Sequence, residues 1–321
     1  MTIGVSNGVK SKVDGLGVEA EHIPPQPAGA ELLRRYIAAL RPHQWLKNLL
    51  VFAPVAAAHQ FSAIGDALLA FIAFSLLASS VYIINDLLDI EADRAHPRKR
   101  RRPFAAAEIP IVHGAAMAAG LFSCAVVIAA LVNTAAFFGV LLLYYAITFA
   151  YSFWLKRRLL IDIWTLAGLY TLRIVAGAAA TGIPLTLWFL GFSIFLFLAL
   201  AAVKRHAELA DQLASGGEAL AGRAYRVSDI PFILALSLVS GFSAVLVLAL
   251  YVSNPAVTAL YAQPLGLWLI CPVLLFWLTR VVMLTHRGEM HDDPVVFAIK
   301  DRVSLALGAL AGALAVASAV L

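Results

Sequence analysis

Residues 85–103 read NDLLDIEADRAHPRKRRRP: an apolar run ends in Asn85, Asp86, Asp89 and Asp93 and passes at once into five consecutive basic residues, Arg98 to Arg102. Oxygen ligands beside a dense cationic cluster are the ingredients for holding a metal ion and a phosphate group together. On an unbroken helix, at about 100° per residue, Asn85, Asp89, Asp93 and Asp86 fall at about 0°, 40°, 80° and 100°, with Glu91 on the far side. One such stripe can coordinate Mg²⁺, which takes one or two carboxylates, waters and substrate phosphate oxygens. A solvated helix end is the plainer reading. Yet Asp at a helix C-terminus opposes the helix dipole, so solubility alone explains the choice poorly. The basic run likewise has two readings: an anchor on anionic lipid, or cations that neutralise a departing diphosphate.

The rest of the chain sets that stretch in a membrane. Of 321 residues, 62% are hydrophobic and 13% charged, and the mean hydropathy is +0.87, a membrane-protein composition. A spanning helix needs about 20 mostly apolar residues. Windows of that kind fall at roughly 36–58, 66–88, 111–132, 135–154, 160–181, 186–205, 230–253, 264–285 and 303–320. This predicts an all-α integral membrane protein with nine transmembrane helices over 31–321, behind a disordered cytoplasmic tail, 1–30, that has no signal-peptide character. Of the 24 Lys and Arg residues, all but Arg173 lie in the N-terminal region or in the loops after the second, fourth, sixth and eighth spans, or at their edges. The positive-inside rule then predicts a bacterial-type inner-membrane protein with its N-terminus cytoplasmic and its C-terminus outside. The isoelectric point near 9.3 reflects that topology and gives no reason to expect nucleic acid. Cys124 and Cys271 lie inside apolar spans and read as packing residues.

A second charged stripe closes the sixth span. In KRHAELAD, Lys204, Arg205, Glu208 and Asp211 share one face on the cytoplasmic side, and His206 points away. An anchor accounts for the two cations but not for the co-facial acids. RPHQWLKN before the first span puts Arg41, Gln44, Lys47 and Asn48 at the same level, and Lys156, Arg157, Arg158 and the loop 286–302 complete a charged rim. Arg173 alone sits deeper, 11 residues after Asp162 on the same helix face and about 16 Å further in. A buried Arg in a membrane is a functional candidate or the structural partner of a neighbouring carbonyl or acid.

These motifs resemble those of the UbiA-like intramembrane prenyltransferase superfamily: residues 85–103 fit its NDxxDxxxD signature, and the resemblance runs over residues 36–321. RPHQWLKN, HPRKRRRP and KRHAEL make the chain most similar to the decaprenyl-phosphate phosphoribosyltransferase branch. The resemblance implies nine helices around a cytoplasm-facing central cavity and a Mg²⁺ cofactor. It further implies transfer of 5-phosphoribose from phosphoribosyl diphosphate to a decaprenyl-like polyprenyl phosphate in the bilayer, a step in cell-envelope biogenesis. On it, Asn85, Asp89 and Asp93 hold the metal, and Asp86, Asp89 and Asp93 form the catalytic group. Substrates meet Gln44, Lys47, Asn48, Lys99, Arg100, Arg102, Lys156, Arg173, Lys204, Arg205 and Glu208. Aromatic prenyltransferases of the superfamily carry a second Asp-rich motif after the sixth helix; here Lys204, Arg205 and Glu208 stand there, with Asp211 alone beyond. A departure is His206, where the branch usually has an aromatic residue. Two alternatives stay open: prenyl transfer from a diphosphate to a small acceptor, and non-enzymatic transport of a lipid phosphate. Transport predicts charges near mid-membrane in related halves, whereas here they crowd one rim.

Overall fold

The computed structural model describes residues 29–95, 99–132, 134–220, 222–290 and 293–320. The expected tail therefore lies outside the described residues except for 29 and 30, as does Arg98 of the basic run.

The first expected span is corrected. Residues 36–58 do not form one helix: α1 (Gly29–Leu40) stops, a 3₁₀ run covers Pro42–Phe52, and α2 (Ala53–Ala58) follows. Pro42 removes a backbone donor and disfavours helical geometry at the residue before it. Arg41 accordingly takes a left-handed conformation, φ 53° and ψ 56°, a strain of about 1–3 kcal/mol for a non-glycine residue. An eleven-residue 3₁₀ run is unusually long and marks a segment held by its surroundings. Those surroundings are close: a Cβ added at Gly177 would lie 2.0 Å from the Val51 carbonyl oxygen, so glycine lets the run lie backbone to backbone on its neighbour.

Eight helices among the described residues are long and apolar enough to cross a membrane. They are built on α3 (Ile64–Leu88), α5 (Ile111–Val132), α6 (Ala135–Phe153), α7 (Ile161–Thr181), α8 (Leu187–Ala214), α9 (Ile230–Val252), α11 (Ile270–His286) and α13 (Arg302–Val320). Three short helices lie between them: α4 (Ile90–Ala95), α10 (Pro255–Thr258) and α12 (Pro294–Lys300). Local chemistry sets several ends. The hydroxyls of Thr134 and Thr186 accept from the amides of Phe137 and Phe189 and cap α6 and α8. Gly182, at φ 72°, ends α7.

The apolar interior falls into two main clusters that share one helix. Leu169 and Ala176 of α7 pack with Phe74, Phe137 and Leu141. Tyr170 and Ile174 of the same helix pack with Phe197, Leu209 and Ile233. Helix α7 thus joins the two clusters, and Arg173 lies on it between them. Outer faces keep large apolar residues exposed, such as Leu305, Leu310 and Val316 on α13, as a lipid-facing helix must.

Candidate functional site

A cavity of about 360 Å³ opens where α3, α6, α7, α8 and the 3₁₀ run converge. Its wall carries eight cationic side chains (Arg41, Lys47, Lys99, Arg102, Lys156, Arg173, Lys204 and Arg223) against three acids, Asp86, Asp89 and Asp293. Tyr82, Tyr144, Tyr151 and Tyr170 add to the polar lining, and Leu166, Leu169 and Leu200 form an apolar patch.

The carboxylate stripe reaches this wall only in part. Helix α3 ends at Leu88, Asp89 sits in a turn at φ −98° and ψ 12°, and α4 starts at Ile90. Asn85, Asp86 and Asp89 remain on the wall. Asp93 does not: the break invalidates straight-helix spacing beyond Asp89, and Asp93 instead accepts from Arg102 Nη1 at 2.6 Å. Asp86 is buried and grips two cations at once, Arg41 at 2.5 Å and Arg102 at 3.1 Å. Asp93, expected to hold the metal, and Asp86, expected in the catalytic group, here pair with guanidinium groups that face the cavity. Among the described residues no three His, Cys, Asp or Glu side chains converge as a metal cluster. Glu91 is exposed, as expected. The 3₁₀ turn Lys99–Arg101 sends Lys99 and Arg102 to the wall, three residues apart, and leaves Arg100 exposed off it.

The second stripe divides differently. Lys204 reaches the cavity, while Arg205 is fully buried with Nη2 2.6 Å from Asp162 and Nη1 paired with Glu208. Arg205 and Glu208 thus do not line the cavity: about 100° separates Arg205 from Lys204 around the helix, and Glu208, one turn on, turns to Arg205 and Arg223. Their network holds another residue instead. Arg223, in the loop after α8, reaches the wall with Nη1 at 3.2 Å from Asp162 and 3.1 Å from the Tyr151 hydroxyl, and Nε at 3.3 Å from Glu208. Burial alone would lower the Arg223 pKa, but Glu208 and Tyr151 raise it above the usual arginine value.

Asn48 is buried behind the wall. Its Nδ2 donates to Ser75 at 3.1 Å, and its Oδ1 accepts from Arg173 Nε at 2.9 Å. Arg173 also donates to the Leu169 carbonyl at 2.6 Å and the Tyr144 hydroxyl at 2.8 Å. Its guanidinium lies 4.9 Å from the Tyr144 ring centre and 5.4 Å from that of Tyr170. All these partners are neutral, so the buried cation brings its charge to the cavity uncompensated, an arrangement suited to an incoming anion. Asn48 serves as the clamp that aims it.

Asp293, just before α12, accepts from Lys47 Nζ at 2.9 Å and Lys204 Nζ at 3.1 Å on the same oxygen, Oδ2. Burial would raise this carboxyl, but the Lys204 and Lys47 ammoniums hold it well below the usual carboxylate range. Across the cavity, burial draws the Lys156 ammonium below its usual value, partly offset by Asp89. Gln44 also lies on the wall.

Sequence reading missed Tyr82, Tyr144, Tyr151, Tyr170, Arg223 and Asp293. For two of them a signal existed. Tyr144, Thr148, Tyr151 and Ser152 recur at helical spacing on α6 and all line the cavity. Arg223 and Asp293 lie in loops, where no periodicity could single them out.

Comparison with known proteins identifies the family and the fold. Residues 49–300 match the UbiA prenyltransferase family. The nodulation protein NoeC of Azorhizobium caulinodans is 36% identical over 273 residues, covering 84% of this chain and 88% of that protein. Decaprenyl-phosphate phosphoribosyltransferase of Mycobacterium tuberculosis is 39% identical over 199 residues, 59% of this chain and 65% of that enzyme. An uncharacterized Sinorhizobium fredii protein matches 95% of the chain at 38% identity, but the chain spans only 60% of that protein's length. A UbiA homologue from Archaeoglobus fulgidus, solved with DMAPP and Mg²⁺, covers 89% of the chain at TM-score 0.66 and 17% identity, a likeness of fold alone. With one family spanning 49–300 and the same helical architecture around a charged cavity, the chain belongs to the UbiA prenyltransferase family.

Proposed function

We propose that the protein transfers the 5-phosphoribosyl group of phosphoribosyl diphosphate to a decaprenyl-like polyprenyl phosphate, releasing diphosphate. The observation that carries this reading is the charge of the cavity wall, eight cations against three acids. A prenyl diphosphate and a neutral acceptor bring one diphosphate; a phosphoribosyl donor brings a diphosphate and a phosphate, and the lipid acceptor a further phosphate. Only the second pair of substrates calls for so large a cationic surplus. The 39% identity to decaprenyl-phosphate phosphoribosyltransferase points the same way.

In the reaction, the bond between ribose C1 and the diphosphate oxygen breaks and a lipid phosphate oxygen bonds to C1. A phosphate dianion is already nucleophilic, so no general base is required of the protein. Asn85 and Asp89 fit a Mg²⁺ ion, since this metal needs only one or two protein oxygens beside waters and substrate phosphate. Bound there, it supplies Lewis-acid charge that makes diphosphate a better leaving group. Lys99, Arg102 and Lys156 face the same end of the cavity and take up charge on the departing diphosphate. Arg41 and Arg102 are held for this by Asp86 and Asp93. Residues 31–321 act as one catalytic domain with the cavity opening to the cytoplasm of a bacterial inner membrane, N-terminus inside and C-terminus outside.

Prenyl transfer is the second reading, favoured by the apolar patch of Leu166, Leu169 and Leu200. One experiment separates the two: incubate purified protein with labelled phosphoribosyl diphosphate, Mg²⁺ and polyprenyl phosphate, and extract the lipid. Label in the lipid phase that EDTA abolishes and excess Mg²⁺ restores is the expected result. Acceptance of a prenyl diphosphate with no use of phosphoribosyl diphosphate overturns the proposal.

A further inference from the structure

We propose that Lys47, Lys204 and Tyr170 form a subsite for a phosphate monoester, and that the Asp293 carboxylate stands in this subsite as an internal competitor. The inference rests on the reading above only in taking the substrates to be phosphorylated.

The geometry is that of an anion site. Both ammoniums converge on one oxygen, at 2.9 and 3.1 Å, and the Tyr170 hydroxyl donates to the same carboxylate at 3.2 Å. The three donors come from the 3₁₀ run, α8 and α7, far apart in sequence, and the acid comes from a fourth segment. Tyr170 is fixed by its stack on Phe197, ring centres 5.0 Å apart. All four residues line the cavity. A carboxylate and a phosphate oxygen make the same demand on such donors: charge-assisted hydrogen bonds from cations.

Charge decides that the two cannot share the place. Two ammoniums and one carboxylate leave a net charge of +1, whereas a phosphate dianion beside a retained carboxylate would set three negative charges against two positive. With the carboxylate displaced, a dianion is neutralised by the two lysines. A diphosphate does not need this pocket, because Asn85, Asp89, Lys99, Arg102 and Lys156 stand together at the motif end of the cavity. The subsite therefore takes a terminal monoester: the 5-phosphate of a sugar phosphate or the head of an isoprenoid phosphate. Asp293 weakens the entry of either by occupying the lysines first, as any state that lacks the binding-competent arrangement lowers apparent affinity.

The test uses the neutral variant Asp293→Asn, which retains a side-chain oxygen for the amide of Val295, now bonded at 3.1 Å. Equilibrium binding to the full chain in detergent is measured for ribose 5-phosphate, farnesyl monophosphate and inorganic diphosphate. Removing the competing charge should tighten monoester binding about tenfold while diphosphate binding stays as in wild type. Tightening of ribose 5-phosphate alone assigns the subsite to a sugar phosphate; tightening of farnesyl monophosphate alone assigns it to a lipid head; either supports the proposal. Weakened or unchanged binding of both monoesters overturns it, and means that Asp293 merely positions the lysines. Asp293→Ser, also neutral and also a helix cap, gives the same readout should the Asn variant fold poorly. Binding is read without turnover, so a failure of phosphoribosyl transfer leaves this result intact, and the reverse.

Discussion

The two charged halves of the cavity use the same ingredients with opposite sorting. At the carboxylate motif, Asn85, Asp86 and Asp89 line the cavity, Asp86 pairs with Arg41 and Arg102, and Asp93 holds Arg102 from behind. At the end of α8 and in its loop, Lys204 and Arg223 face the cavity, and the acids Asp162 and Glu208 retreat with Arg205 into a buried network. The first half presents Asn85 and Asp89 oxygens open to a metal ion as well as positive charge, whereas in the second the one wall acid, Asp293, is already taken up by Lys204 and Lys47. What an ion pair does for a site depends on which partner faces the substrate, and sequence spacing reports only that both are near.

The sharpest break in this comparison is at the exposed acid of the first half. Asp89→Asn should lower turnover about a thousandfold or more, since it removes metal-held charge at the leaving group, while thermal unfolding in detergent stays close to wild type. Near-normal turnover with unchanged Mg²⁺ dependence would erase the distinction between the halves. In the second half the buried acid should act on stability instead. Asp162→Ala leaves Arg205, itself fully buried, with Glu208 as its one remaining acid and should lower stability by up to about 3–5 kcal/mol; a melting temperature equal to wild type would contradict the bracing role.

Between these lies the wall cation. Lys204→Ala should raise the KM of the substrate whose phosphate it meets, the donor on the proposed reading, about tenfold to a hundredfold, from the loss of a charge-assisted hydrogen bond. Arg205→Lys should do the reverse of a wall residue: a lower melting temperature with donor KM altered less than by Lys204→Ala. Equal KM effects would put Arg205 back at the substrate.

The smallest effect is a pH dependence. Burial lowers the Lys156 pKa from its ordinary 10.5, so as pH rises its positive charge is lost earlier than that of a free lysine. Donor KM measured against pH should therefore climb on the alkaline side before the ordinary lysine range. Lys156→Arg should shift that climb upward, and an unmoved profile would assign it elsewhere.

Much of this was legible because hydrophobic length and charge asymmetry are one-dimensional signals. Eight of the nine expected spans, the acidic motif and the wall positions of Lys47, Lys99, Arg102, Lys156, Arg173 and Lys204 all follow from them. What spacing alone does not carry has a common cause. Straight-helix spacing breaks at Asp89, where the chain turns, so it does not place Asp93. The stripe that holds Lys204 and Arg205 is broad enough to include two surfaces. The level of Asn48 in the membrane says nothing of its depth behind the wall. Asp293 and Arg223 act through tertiary proximity across 246 and 61 residues of sequence, which no local pattern encodes.

The 3₁₀ run at Pro42–Phe52 has a repeat of three, not 3.6, and that changes what it is sensitive to. Residues three apart eclipse one another, so Gln44 and Lys47 look into the cavity. Trp45 and Asn48 dock on Ser79 and Ser75 of α3, and Leu49 is left on the outer surface. Conservative exchanges within one row leave the other rows untouched. Loss or gain of a single residue between Leu46 and Leu50, by contrast, rotates everything before it by about 120°. The aiming asparagine, on a gain, or Leu46, on a loss, would then stand where the lysine belongs. The segment therefore tolerates spelling changes but not a shift of reading frame, and what it conserves is a count.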